Sequence, residues 1–156
     1  MENLANWTAW LAGMLEGEGY IELQQNVKAA RTKSHGYGPR IGICSSDLDL
    51  LSKCVEIMAR LGVAGHVTKT STGNKLAKRE CFAVRVTNQK DAKVLLTALR
   101  PFLIRLAKRA DKLCAWLDMR LSHAKYNTPY SKAEIDAADD IRSTPSSGRV
   151  ILKLVA

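Results

Sequence analysis

Apolar residues recur every three or four positions at Leu4, Trp7, Leu11 and Leu15. This spacing predicts an amphipathic helix from Leu4 to Glu18, stopped by Gly19. From residue 20 to 28 the period changes to two. Ile21, Leu23 and Val27 take one face; Tyr20, Glu22, Gln24, Asn26 and Lys28 take the other. That alternation predicts a half-buried strand with a polar outer face. Residues 29–39 are basic and Gly-rich and read as a hairpin loop. A second strand follows over 40–44, with Ile41 and Ile43 inward. Ser46 or Asp47 can cap a helix running through Leu50, Leu51, Cys54, Ile57, Met58 and Leu61, ended by Gly62.

The pattern then repeats. Residues 65–72 and 80–87 read as strands joined through a turn at 71–74. In the second, Phe82, Val84 and Val86 point inward, and Cys81, Ala83 and Arg85 point outward. Asn88 caps a helix to Leu99. Pro101 separates it from a longer helix over 102–123. Ser131 and Glu134 fit a capping box that opens a short acidic helix to Ile141. The tail, 143–156, starts polar and ends apolar, and is expected to pack on the core or meet a partner. Strand pairs alternating with helices predict an α+β fold, with an antiparallel sheet backed by helices on one face.

Composition bounds this picture without changing it. The 156 residues make one domain, with a core over about residues 4–123 and a C-terminal helix and tail over 124–156. Hydrophobic residues at 46% and charged residues at 25% exclude a disordered chain. No apolar run approaches the ~18 residues of a membrane span. The first residues carry no basic stretch before an apolar core, so no secretory signal is expected. An intracellular setting follows: the cytoplasm of a bacterium or phage host, or an organelle. Cys44, Cys54, Cys81 and Cys114 are scattered, with no CxxC pair, and are expected to be free thiols.

Charge does change the picture. The net charge is +9, and residues 20–130 hold 20 bases against 8 acids. A basic middle on a small domain favours a polyanion, most commonly nucleic acid. Charge for solubility alone is the bland alternative. His35, His66 and His123 lie in different elements and match no metal spacing. No phosphate loop, nucleotide fingerprint or catalytic triad is present, which leaves little support for a small-molecule enzyme.

The first helix carries the most specific signal. Ala9, Gly13 and Gly17 are spaced by four, so they line one stripe. A glycine inside a helix costs about 1 kcal/mol relative to alanine. Close approach of a second helix would account for two of them. Glu16 and Glu18 sit at the helix C-terminus, where the macrodipole disfavours negative charge. Pairing two copies of this helix would bring two Glu18 carboxylates together, and paired oxygen ligands suit Mg²⁺.

Residues 10–19, Trp-Leu-Ala-Gly-Met-Leu-Glu-Gly-Glu-Gly, resemble the LAGLIDADG motif of homing endonucleases. Residues 96–103, Leu-Thr-Ala-Leu-Arg-Pro-Phe-Leu, are similar to the helix break of single-motif members. The resemblance spans residues 4–123. It implies the αββαββα LAGLIDADG fold, with a four-stranded antiparallel saddle sheet backed by helices. It further implies a site-specific double-strand DNA endonuclease, intron-encoded, acting by Mg²⁺-dependent phosphodiester hydrolysis as a homodimer on a long, nearly palindromic site. The dimer interface would fall at Ala9, Ala12, Gly13 and Gly17. Glu18 would bind the catalytic metal beside Gly17. Glu16 would be more structural, capping backbone groups. Ser45, where the family often has glutamine, would order water. Lys108 or Arg105 would support the scissile phosphate. An RNA maturase acting on its own intron RNA, or a DNA-binding regulator on the same scaffold, is the alternative.

DNA reading would fall to the outer strand face: Glu22, Gln24, Asn26, Lys28, Arg40, Thr68, Thr70 and Arg85. Arginine pairs with guanine, and Asn or Gln with adenine, in the major groove. Arg31, Lys33, Lys69, Lys75, Lys78 and Arg79 are expected to meet phosphates or solvent, setting affinity rather than sequence.

Overall fold

Side-chain caps open four of the five α-helices among the described residues, three of them at residues the sequence predicts. In the computed structural model, which describes residues 3–26, 36–70, 80–123, 125 and 128–144, α1 runs Leu4–Glu18, and its Asn3 carboxamide accepts from the Ala5 amide at 3.0 Å. Asp47 caps α2, Leu48–Arg60, by accepting from the Asp49 and Leu50 amides. Asn88 does the same for α3, Gln89–Leu99. The capping box of Ser131 and Glu134 opens α5, Lys132–Ser143, with both reciprocal bonds formed.

The strands are β1 (Gly19–Asn26), β2 (Gly36–Ser45), β3 (His66–Thr70) and β4 (Cys81–Val86). They form one antiparallel sheet in the order β1-β2-β4-β3. Its inner face carries Ile21, Leu23, Ile41, Ile43, Val84 and Val86, all buried against the helices with Leu11, Leu15, Leu95, Leu96 and Trp116. Each such aliphatic side chain contributes about 1.5–3 kcal/mol by leaving water. No helix among the described residues is long and apolar enough to cross a membrane.

Two stretches differ from the sequence expectation. Residues 36–39, read as loop, are the first turns of β2, paired with Leu23–Asn26 of β1. β4 pairs with β2 only from Ile41 onward. Pro39 therefore sits in a strand whose other side is open, where its missing N–H removes no ladder bond. The phenol of Tyr130 takes the place of a neighbouring strand at Tyr37: it accepts from the Tyr37 amide and donates to the Tyr37 carbonyl, both at 3.2 Å.

The helix expected over 102–123 is broken. Arg100–Phe102 is a 3₁₀ turn with Pro101 in its first positions, and α4 spans only Ala107–Leu121. α4 has no side-chain cap of its own. Glu16 from α1 serves instead, as described below.

Candidate nucleic-acid interface

The α1 C-terminus meets the outer face of the sheet, and the two acids there have different surroundings. Glu16 is largely buried and accepts from the Ile104 amide at 2.7 Å and the Leu106 amide at 3.1 Å, both on Oε1. Arg105 lies 3.5 Å from the other oxygen and donates to the Glu16 carbonyl at 2.6 Å. The charge of Glu16 is thus consumed in holding the α3–α4 break against α1, the capping role expected of it. Glu18 is exposed and has no hydrogen bond or ion pair among the described residues.

The two cations expected here differ in their partners. Arg105 is tied to the last turn of α1. Lys108 is exposed in the first turn of α4 and has no hydrogen bond or ion pair among the described residues. Leu106 is buried. Ser45 pairs with Phe82 on the core-side pleat, and its hydroxyl accepts from the Asp47 amide at 3.0 Å. The preceding residue, Cys44, takes the outer pleat. Burial pushes the Cys44 thiol up in pKa, with the Cys81 thiol and the Glu18 carboxylate adding to the rise and Arg85 and Arg40 opposing it. Glu18, Cys44, Cys81, Arg40 and Arg85 therefore share one electrostatic neighbourhood.

On α1, Gly13 and Gly17 are exposed, and a Cβ built on either meets nothing within 4 Å. No contact among the described residues accounts for these glycines. Ala9 is half-buried beside them. Ala12, expected at the dimer interface with them, is fully buried, and Thr8, Leu11 and Leu15 are buried on the same side. A helix turn of 100° places it on the core side, so its side chain is unavailable to a partner.

The strand register places Glu22, Gln24, Arg40, Thr68, Thr70 and Arg85 on the outer pleat together; the side chain of Asn26 lies outside the described ones. Ala83 shares that pleat but is fully buried between Cys44 and Thr68. Lys69 pairs with Glu80 in an exposed ion pair. Lys28, Arg31, Lys33, His35, Lys75, Lys78, Arg79 and most of the apolar tail lie outside the described residues. His66 is exposed in β3, whereas His123 bonds Glu134 at 3.1 Å away from this face.

Sequence reasoning passed over Tyr20 and Gly42. Tyr20 faces outward opposite Gly42. Its phenol oxygen lies 2.4 Å from where a Gly42 Cβ would stand. The ring thus crosses β2 and reaches Arg85 on β4, whose Nε donates to the Tyr20 hydroxyl at 3.1 Å. The Arg40 guanidinium lies 5.6 Å from the same ring. A glycine in a central strand beside an aromatic on the next strand is a sequence signal for such a crossing.

The profile of the LAGLIDADG-like domain matches residues 7–99. No curated protein sequence matches the chain. Several solved structures do. The homing endonuclease I-CvuI, in complex with its target, superposes with a TM-score of 0.68 at 18% identity, over 88% of this chain and 81% of that one. The group I intron-encoded homing endonuclease I-CeuI, complexed with DNA, gives 0.67 at 15% identity, over 89% of this chain and 67% of that one. The I-LtrWI LAGLIDADG homing endonuclease, bound to target DNA, gives 0.68 at 17%, over 92% of this chain but 45% of that longer one. The superpositions share the fold, the matched profile covers more than half of the sequence, and the motif stands on the helix that carries Glu18: the chain belongs to the LAGLIDADG homing endonuclease family.

Proposed function

We propose that this protein is a site-specific, Mg²⁺-dependent DNA endonuclease that works as a homodimer on a nearly palindromic duplex site. The observation that carries this reading is the α1 C-terminus: an exposed Glu18, without a hydrogen-bond or ion-pair partner among the described residues, beside two exposed glycines with open space around them. A second α1 packed on Gly13 and Gly17 would set two Glu18 carboxylates side by side.

The donors fit Mg²⁺ in kind. The Glu18 carboxylate and the Gly17 carbonyl are hard oxygen ligands at the negative end of a helix. Among the described residues no three acidic, His or Cys side chains gather to hold a metal within one chain. That agrees with a site completed by a second subunit, water and phosphate. When bound, the ion would supply charge neutralisation at the phosphate and activation of water. Glu18 and the Gly17 carbonyl would hold it. Glu16 and Arg105 fix the α1 terminus to the α3–α4 break, and that anchoring would hold Glu18 in place for the metal. Lys108 would contribute a mobile positive charge near the phosphate.

The outer pleat would then lie along the major groove. An eight-residue strand such as β1 spans about 26 Å, or roughly eight base pairs. Two subunits would cover on the order of 15–20 base pairs, with two-fold symmetry in the site.

Duplex binding tests the reading at its base. Affinity is expected to fall steeply between 50 and 200 mM salt, as phosphate contacts release counterions. A salt-independent affinity contradicts it.

A further inference from the structure

One outward row, two residues along β1 from Glu18, crosses the whole sheet. Tyr20 opposes Gly42, Gly42 opposes Arg85, and Arg85 opposes His66. Tyr20 spans the gap that Gly42 leaves, and its hydroxyl accepts from Arg85 Nε. This bond lies on the side of the sheet away from the core. Both side chains are half-buried, and ordering a long arginine on this outer face costs side-chain entropy. Ordering it in advance does favour a ligand that the guanidinium must grip.

The bond also leaves a particular set of donors. With Nε engaged, the two terminal nitrogens of Arg85 have no hydrogen-bond acceptor among the described residues. That end-on pair matches the O6 and N7 acceptors of guanine in the major groove. The row lies two residues beyond Glu18. That is about 7 Å along β1, and Arg85 stands two strands over, roughly a further 9–10 Å across the sheet, so its reach falls within about three to four base pairs of the proposed metal position.

We propose that Arg85 reads a guanine close to the cleavage position in each half-site, and that Tyr20, reaching over Gly42, is the positioning residue that aims it. This inference rests on the DNA-binding reading above and deepens it by assigning one base to one residue. A purely structural alternative is that the Tyr20 ring only covers the glycine, as aromatics do across from strand glycines. The phenol oxygen separates the two, because phenylalanine would keep the cover and lose the aim.

The experiment is selection of bound duplexes from a randomised library by the full chain, for wild type, Arg85→Ala, Tyr20→Phe and Gly42→Ala. Melting temperatures are measured alongside. The wild type is expected to enrich a two-fold site with one strongly preferred guanine near its centre in each half. Arg85→Ala should lose preference at that position alone, by roughly 5- to 150-fold, the range for one bidentate contact. Tyr20→Phe should weaken the same position several-fold with an unchanged melting temperature. Gly42→Ala, whose Cβ would strike the ring, should mimic it, yet add nothing in a Tyr20→Ala background. A wild-type site whose preferences survive Arg85→Ala overturns the assignment and leaves the binding reading standing. Preferences unaltered by Tyr20→Phe overturn the positioning role. Failure of the wild type to enrich any site overturns both readings together.

Discussion

Replacing Glu16 by alanine removes the acceptor for two backbone amides in one step. The Ile104 and Leu106 amides both donate to Oε1, at 2.7 and 3.1 Å. The part-buried Leu106 amide left without a partner costs about 1–3 kcal/mol, and loss of the exposed Ile104 bond adds about 1 kcal/mol. The expected loss is therefore about 2–4 kcal/mol, a large part of the roughly 5–15 kcal/mol that stabilises a domain. Glu16→Gln keeps an oxygen for both amides but gives up the charge and turns an NH₂ toward Arg105. It should cost about 1 kcal/mol, the difference between charged and neutral acceptors. Urea unfolding at constant m-value measures both. With m of about 2 kcal/mol/M, the alanine variant should lower the midpoint by about 1–2 M. An alanine variant within ~0.5 kcal/mol of wild type would refute the idea that Glu16 caps α4 across the domain.

Other consequences follow from named contacts. Arg109 is buried and donates to the carbonyls of Ile21, Ile141 and Thr144, joining α4, β1 and the end of α5. Arg109→Leu leaves those carbonyls bare and should lose about 3–5 kcal/mol by thermal or urea unfolding; a neutral effect would remove it as a staple. Burial works against ionisation of Glu134, but the Ser131 amide, His123 and the Ser131 hydroxyl outweigh it and hold its carboxyl below the usual range. Its folded pKa is depressed, so its contribution is complete above the unfolded value of about 4.3 and is lost as pH falls through the folded one. Glu134→Gln should flatten stability against pH below about 5, and an unchanged acid limb would contradict this. Gly13→Leu should convert a dimer to a monomer in sedimentation, with the monomer still folded by circular dichroism; an intact dimer would move the interface elsewhere.

Much of this molecule is legible in the chain because local signals and the final structure agree. The caps at Asp47, Asn88 and Ser131 act within three residues of themselves, and each opens its helix as expected. The outer pleat follows from strict alternation at Tyr20, Glu22 and Gln24. What escapes sequence reading is made by distant partners. Gly36–Pro39 looks like a loop until Tyr130, 93 residues away from Tyr37, supplies the missing strand edge. The break before Ala107 depends on a carboxylate 88 residues earlier. Ser45 and Cys44 differ by one position, and a period of two puts them on opposite faces. Ala12 and Gly13 differ by one helical step, enough to bury one and expose the other. The Tyr20–Arg85 bond is invisible locally because it passes over a third strand.

Cleavage of duplex DNA by wild type and Glu18→Gln tests the central claim most directly. The substrates are a plasmid bearing the joined DNA from either side of this coding sequence, and a plasmid library of randomised inserts. With Mg²⁺ the wild type is expected to linearise plasmid at one site, and chelation should stop it. Glu18→Gln should bind that site with similar affinity and leave the plasmid uncut. Equal cutting by Glu18→Gln, or tight site-specific binding by a wild-type dimer with no cut in Mg²⁺, would contradict a catalytic metal held at Glu18.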